Sequence, residues 1–162
     1  MYIKEFEIRW DDVDANRHLR NSAYIDYMSH TRMSFFSEQG FGQDHLAEMN
    51  LGPVALYEHM YYFKEAFPEK PIRVSLQLKG LSEEGTFFAF RHNFYDHEGN
   101  NLGRCEMLGA WIDLESRKLV PLPESLYSFL DGVDKTDDFE IITKANTRKH
   151  GQKPQNLERV FG

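Results

Sequence analysis

The chain has 162 residues, which suits one domain with a sizeable core better than two. Its net charge of −7 argues against nucleic-acid binding as the main activity, because phosphates require a basic surface. No apolar run is long enough to span a bilayer, so we expect no membrane partner.

The chain has one cysteine, Cys105, which cannot form an internal disulfide and is typical of a reducing compartment. The first residues lack the apolar segment of a signal peptide, so we expect a cytoplasmic protein. Six histidines show no metal-ligand spacing, namely His30, His45, His59, His92, His97 and His150. We therefore expect no metal and no cofactor.

The first third of the chain predicts a strand followed by a long helix. Residues 2–10 alternate between apolar and polar side chains, which is typical of a half-buried strand. From Ser22 onward, aromatic residues recur at helical spacing, and Gly40 supplies a stop. We predict a helix over residues 22–39 with a buried aromatic stripe. A short helical turn follows over residues 43–51.

The residues beyond Gly52 predict a series of antiparallel strands separated by tight turns such as S-E-E-G and D-H-E-G-N-N. The predicted strands are 53–67, 72–81, 86–96 and 102–114. A short helix over residues 121–130 closes this part, because Pro123 suits a first helical turn. The order predicts an α+β fold, with one helix against a curved antiparallel sheet.

The last 32 residues, 131–162, differ in composition from the rest. Ile141 and Ile142 could form a small docked strand, but most of this segment has too few apolar residues to fold alone. We therefore predict one domain over 1–130 and a polar C-terminal extension over 131–162 that is partly ordered at most. The second half of the extension is basic and contains Lys144, Arg148, Lys149, Lys153 and Arg159. A solvated segment is the simplest interpretation of these charges.

The junction between the first strand and the long helix gathers acids, asparagines and a histidine in the run D-D-V-D-A-N-R-H-L-R-N-S-A-Y. A helix start carries unpaired N–H groups and partial positive charge, which would polarise a carbonyl oxygen placed there. A carboxylate just upstream could activate water or attack that carbonyl itself, and Asp14 has this position. Alternatively, Asp12 and Asp14 are turn residues only, and Asn21 is a plain helix cap.

This run, with the preceding Trp10, resembles the signature D-x-D-x-N-x-H-V-N-N-x-x-Y of hotdog-fold acyl thioesterases of the 4-hydroxybenzoyl-CoA thioesterase type. It is similar also to the acyl-ACP thioesterases of plants. The resemblance covers residues 2 to about 130. It implies a hotdog fold, in which an antiparallel sheet wraps around one long central helix. It also implies a homodimer or tetramer with the site between protomers.

Matched by position, Asp14 corresponds to the acid implicated as base or nucleophile, and Asn16 and His18 correspond to the residues that accompany it. The backbone N–H of Asn21 would face the thioester oxygen. The segment Y-F-K-E-A resembles the Y-R-R-E-C segment of the acyl-ACP enzymes, which makes Glu65 a second candidate carboxylate. Alternatives remain: His18 satisfies hydrogen bonds in the core, and Glu65 is a solvated residue at a strand end.

Two arginines depart from the family pattern, which usually has Gly or Gln at the position of Arg17 and Asn at that of Arg20. They could bind a phosphate or carboxylate of the substrate. Equally, they could form salt bridges with neighbouring acids: Asp11, Asp12 or Asp26. Tyr24 is a candidate substrate contact, and helix core is its alternative role.

The resemblance implies hydrolysis of acyl thioesters of CoA or acyl carrier protein by a carboxylate-based mechanism at the start of the helix. A non-catalytic module that binds an acyl group or acyl-CoA is the alternative. A hotdog hydratase and an aromatic-rich interaction module are further alternatives, although the sequence contains no hydratase-type motif.

Overall fold

The structure is a computed structural model that describes residues 1–157, and Arg159 of the predicted basic tail lies outside the described residues. The elements in chain order are β1 (Tyr2–Phe6), α1 (Asn21–Glu38), α2 (Gln43–Glu48), β2 (Leu51–Tyr62), β3 (Ile72–Ser82), β4 (Phe87–Tyr95), β5 (Asn101–Asp113), α3 (Glu124–Asp131), β6 (Lys135–Ile142) and α4 (Lys144–Thr147). None of the helices in this described part is long and apolar enough to cross a membrane.

Five strands form an antiparallel sheet in the order β1-β3-β4-β5-β2, and β6 joins it parallel to β3. β1 pairs with residues 72–76 of β3, whereas β6 pairs with residues 78–82. The two strands therefore share one edge of β3, end to end. The 12-residue strand β2 forms the opposite edge of the sheet.

The helix predicted over residues 22–39 is confirmed as α1, which begins and ends one residue earlier than predicted and contains 18 residues. Its aromatic stripe is buried, because Tyr24, Tyr27 and Phe36 are each less than 9% exposed. Tyr27 stacks on Phe6 of β1 with ring centroids 4.7 Å apart. These contacts hold α1 against one face of the sheet.

The core divides into two clusters along the sheet. One cluster surrounds Phe36 and Trp111 and extends beneath α3. The other contains Leu19 and Ala66, which flank the acidic junction, and packs them against α1 and the adjacent ends of β3, β4 and β5. The second cluster thus forms the apolar base on which the candidate site is built.

Two strand predictions were wrong at their ends. The strand predicted over 53–67 ends at Tyr62, because Phe63 and Lys64 both donate their N–H groups to the carbonyl of Leu102 and leave the regular ladder. The strand predicted over 2–10 ends at Phe6, and Trp10 begins a short 3-10 turn. The other predicted strands are confirmed to within one residue at each end. The helix near Pro123 is confirmed as well, although it begins three residues later than the predicted range of 121–130.

The strand in the extension, β6, is longer than the two isoleucines that predicted it. Asp138 accepts hydrogen bonds from Arg91 at 2.8 Å and from Lys79 at 3.1 Å. The Arg91 guanidinium holds the pKa of the Asp138 carboxyl far below its usual range. Acidic residues of the extension thus attach β6 to the sheet, while the division into two units at residue 130 stays a prediction.

Candidate active site

Residues 13–19 form a tight loop that leads into α1. Val13 and Leu19 face each other in a short antiparallel bridge, and the N–H of Asp14 donates to the carbonyl of His18 at 3.0 Å. The turn requires a left-handed residue, and Arg17 fills this position with φ of 67°. The loop thereby brings the side chains of Asp14 and His18 to the same place.

The Asp14 carboxylate is oriented by its own loop. Its Oδ1 atom accepts hydrogen bonds from the backbone N–H of Asn16 at 2.8 Å and of His18 at 3.4 Å. The other oxygen, Oδ2, lies 3.3 Å from Nδ1 of the His18 ring. The side chain is 29% exposed, so this carboxylate is both fixed and reachable from solvent.

The His18 ring lies between two carboxylates. Nδ1 faces Oδ2 of Asp14 and also lies 3.2 Å from the carbonyl oxygen of Leu19. Because both neighbours are acceptors, we assign a proton to Nδ1. Nε2 points the other way, 3.6 Å from Oε1 of Glu65. The ring therefore links the two candidate carboxylates.

Glu65 reaches the site from the segment that follows β2, and not from the strand itself. The N–H of Leu19 donates to the carbonyl of Ala66 at 2.7 Å, which ties this segment to the loop before α1. Ala66 is buried, whereas the side chain of Glu65 is 63% exposed. One backbone hydrogen bond thus joins two motifs that lie more than 40 residues apart.

The start of α1 faces this pair of carboxylates. Arg20 occupies the cap position without a side-chain cap, so the alternative in which Asn21 caps the helix is wrong. Within residues 1–157, the backbone N–H groups of Asn21 and Ser22 have no acceptor. An uncapped helix start carries partial positive charge and can donate to a bound oxygen.

These groups surround a pocket of about 370 Å³, lined by Asp14, His18, Leu19, Asn21, Tyr24, Tyr62, Phe63, Lys64 and Glu65. Five predicted site residues are therefore brought together. The other three, Asn16, Arg17 and Arg20, do not line the pocket. Four further residues of the pocket were not predicted from the sequence, namely Leu19, Tyr62, Phe63 and Lys64. Three of them precede Glu65 within or beside its motif, which is the signal that could have identified them.

Tyr24 forms the apolar floor of the pocket. Its ring meets Tyr62 and Phe94 edge to face, with centroids 5.2 and 5.1 Å away. Burial, followed by the charges of Tyr62 and Asp14, raises the pKa of Tyr24 to about 12. The hydroxyl therefore keeps its proton at neutral pH. Tyr24 belongs to both the helix core and the pocket.

Asp12 and Arg20 stabilise the junction beside the pocket. The buried Asp12 carboxylate accepts a hydrogen bond from the Tyr27 hydroxyl at 2.7 Å and one from Arg20 at 3.3 Å. Arg20 also donates to the carbonyl of Asp11 and contacts Ser22. Arg20 is thus committed to a salt bridge, whereas Arg17 is exposed. Within residues 1–157, no group of three His, Cys, Asp or Glu side chains is arranged to hold a metal ion.

The model of the thioesterase-like superfamily matches residues 8–130, three quarters of the chain. The chain belongs to the thioesterase-like superfamily. The match includes the loop before α1 and the segment that carries Glu65. A search of curated protein sequences finds no match.

Solved structures similar to this chain indicate the same fold. A hypothetical protein from Aquifex aeolicus is 22% identical over 80% of this chain and 99% of its own, with a TM-score of 0.74. A 1,4-dihydroxy-2-naphthoyl-CoA thioesterase from Synechocystis is 15% identical over 81% and 96%, with a TM-score of 0.72. A hypothetical protein from Staphylococcus aureus, solved in complex with CoA, is 16% identical over 96% and 94%, with a TM-score of 0.74. An antiparallel sheet with few helices is consistent with the hotdog fold.

Proposed function

We propose that this protein hydrolyses acyl-CoA thioesters in the pocket at the start of α1, which acts as the central helix of a hotdog fold. The observation that carries the proposal is the fixed carboxylate of Asp14 beside two unpaired helix N–H groups. Family membership and the names of similar structures support thioester hydrolysis generally. Acyl carrier protein is a second donor to be compared with CoA.

In the proposed mechanism, the thioester carbonyl oxygen accepts hydrogen bonds from the N–H groups of Asn21 and Ser22. These donors stabilise the negative charge that develops on this oxygen when the carbonyl carbon is attacked. Asp14 either removes a proton from the attacking water or attacks the carbon itself to form a mixed anhydride. In the first route, the tetrahedral intermediate collapses and CoA leaves as the thiol with the proton that Asp14 removed. In the second route, CoA leaves as the anhydride forms and takes a proton from solvent, and water then hydrolyses the anhydride to release the acid and restore Asp14.

His18 and Glu65 assist Asp14 in this proposal. His18 holds Oδ2 of Asp14, and its other nitrogen faces Glu65. Proton exchange along this row of three groups would let Glu65 share the role of base. Asn16 contributes through its backbone N–H, which fixes Oδ1 of Asp14. Tyr24 contacts the acyl group, and the exposed Arg17 is available to the phosphates of CoA.

We further propose that two copies pair through β2. This strand is an edge of the sheet, and in the described chain it pairs only with β5. Long unpaired edges tend to recruit another strand. Exposed rings also cluster where β2 ends, namely Tyr61, Tyr62, Phe63 and Phe67. The pocket touches this region through Tyr62 and Phe63, so a partner would border the site.

The function is tested with a panel of aliphatic and aromatic acyl-CoA esters, together with one acyl carrier protein ester. Free thiol is measured over time, and binding of the same esters is measured by calorimetry. Hydrolysis of at least one ester is expected. Binding without release of thiol from any ester would contradict the proposal and favour the non-catalytic module. Light scattering should give twice the 19.1 kDa mass of the chain or more.

A further inference from the structure

A second polar group lies deeper between α1 and β2, below the catalytic pocket. Tyr24, Met28 and Arg32 are spaced four residues apart on α1, and therefore lie on one face of the helix. Tyr62, Met60 and Glu58 are spaced two apart on β2, and therefore lie on one face of the strand. The registers pair Met60 with Cys105 and Cys105 with His92, so these residues face the same side of the sheet.

The two faces form successive layers. The first layer is the contact between Tyr24 and Tyr62 that forms the pocket floor. The spacing puts Met28 and Met60 in the next layer, and both are flexible side chains that adapt to a bound group. Arg32 and Glu58 form the third layer, with His92 beside them. The layers that begin at the floor of the pocket thus end at a cation.

Arg32 is a partly buried cation without a carboxylate partner. Its guanidinium donates to the hydroxyl of Ser29 at 3.2 Å and lies 3.2 Å from Nε2 of His92. Among residues 1–157, no carboxylate oxygen lies within 4.0 Å of it. Two other partly buried arginines differ in this respect, because Arg91 pairs with Glu106 and Asp138, and Arg20 pairs with Asp12. Arg104 bonds to the amide oxygen of Asn93, whereas the guanidinium of Arg32 has only a hydroxyl and a neutral ring beside it.

His92 does not supply a negative charge to compensate the guanidinium of Arg32. The ring is fully buried, and its Nδ1 lies 2.8 Å from the carbonyl oxygen of Ser75, which can only accept. Nδ1 therefore carries the proton, and Nε2 accepts from Arg32. Burial, followed by the charge of Arg32, lowers the pKa of His92 to about 3, so the ring is neutral at pH 7. Burial likewise raises the pKa of the Cys105 thiol to about 12.

Glu58 is the acid whose charge acts most strongly on Arg32, but its oxygens lie more than 4.0 Å away. Burial alone lowers the pKa of Arg32, because the desolvated guanidinium is short of compensating charge. A carboxylate placed on the remaining N–H groups would form charge-assisted bonds, in two parallel pairs where the geometry allows. An acyl chain that ends in a methyl group would leave Arg32 without a carboxylate partner.

We propose that Arg32 binds a carboxylate at the far end of the acyl group, so that the preferred substrates are ω-carboxyacyl-CoA thioesters. This inference rests on the proposed hydrolysis at Asp14. The acyl chain passes Tyr62, whose ring is 54% exposed and can turn toward solvent, and then the two methionines. Met28 and Met60 contact its methylene groups, and Arg32 receives its carboxylate.

The length of the preferred acyl group follows from the helix. Asn21 and Arg32 are 11 residues apart, or about 16 Å along the axis. A long helical side chain leans back toward the helix start by about one turn, roughly 5 Å, which leaves about 11 Å. An extended chain covers about 3.5 Å in three bonds, so the carboxylate lies roughly nine bonds from the thioester carbon. Acyl groups of about eight to ten carbons fit this distance.

The test compares two matched series of CoA esters with six to twelve carbons, one ending in a carboxylate and one in a methyl group. For the wild-type protein, kcat/KM from thiol release should be at least about tenfold higher for the carboxylate series near eight to ten carbons. Arg32→Gln should reduce this ratio to about one or less, and Arg32→Lys should give an intermediate ratio. Arg73→Gln, which removes a partly exposed arginine paired with Glu5, should leave the ratio unchanged.

The outcomes separate the two proposals. No thiol release from either series would overturn the hydrolase function. Release from both series with equal or better turnover of the methyl series would overturn the role of Arg32 alone, and so would a preference that survives in Arg32→Gln. The wild-type comparison decides the question even if Arg32→Gln fails to fold, which thermal melting would reveal.

Discussion

Asp14→Asn is the sharpest test of the candidate active site, because the substitution removes a charge and keeps the shape. Asparagine retains an oxygen that can accept from the N–H groups of Asn16 and His18, and it is as suitable as aspartate for this kind of turn. The lost attraction to His18 involves partly exposed side chains and is worth about 0–1 kcal/mol. The free energy of unfolding should therefore change by no more than about 1 kcal/mol.

The chemistry should change far more than the stability. A positioned general base contributes about 10²- to 10⁴-fold, and the amide of asparagine can serve neither as base nor as a ready nucleophile. We expect kcat for thiol release to fall by about this factor, while the affinity for an acyl-CoA ester changes little. The assay is thiol release under single-turnover conditions, combined with urea unfolding of the same preparation.

Asp44→Asn is the matched control, because Asp44 is an exposed acid in the first turn of α2 and does not line the pocket at the start of α1. Its rate should equal that of the wild type. An unchanged rate in Asp14→Asn would eliminate Asp14 as the catalytic group. A lost rate accompanied by a loss of several kcal/mol in stability would mean that Asp14 acts through the loop instead.

Two further predictions concern the core. The pKa of His92 is about 3 in the folded state and about 6.5 in the unfolded chain. Between pH 6.5 and pH 3, only the unfolded state therefore binds a proton at this ring, and the free energy of unfolding should fall as the pH decreases. Urea unfolding should show a loss on the order of 2 kcal/mol from His92 between pH 7 and pH 5, and a flat profile would refute the neutral ring. In Gly109→Ala, the added Cβ would overlap the buried ring of Phe88, so the free energy of unfolding should fall by about 1–3 kcal/mol in thermal unfolding. Gly99→Ala is the control, because Gly99 lies on an open turn where the added Cβ meets no atom and only backbone strain is tested.

The sequence predicted the elements that depend on local pattern. The helix over 22–39 and the strands over 72–81, 86–96 and 102–114 have clear periods, and the structure contains them with small shifts. The end of β2 could not be predicted in this way, because no glycine or proline interrupts the chain between Tyr62 and Pro68. Their course is decided by distant partners, namely the carbonyl of Leu102 and the N–H of Leu19.

The polar extension shows the same distinction between local pattern and tertiary contacts. Acids between Asp131 and Glu140 suggest a solvated segment, since isolated charges rarely hold a strand in place. Arg91 and Lys79 change this, because both are less than a fifth exposed and both donate to Asp138. The sequence gives no sign that these three residues, which lie in separate strands, meet on the surface of one sheet.

The candidate site combines both kinds of information. Asp14, His18 and Asn21 come from one continuous run, so their residue types and spacing could indicate the chemistry. The resemblance already made Glu65 a candidate, but its position beside His18 could not be predicted from the sequence. This position depends on the hydrogen bond between Leu19 and Ala66 and on the burial of both residues in the second core cluster. A substitution that weakened this bond would separate the two carboxylates without touching either of them. The core beneath the pocket therefore determines that Glu65 lies near Asp14, on the other side of the His18 ring. The local sequence determines that Asp14 lies beside the start of α1.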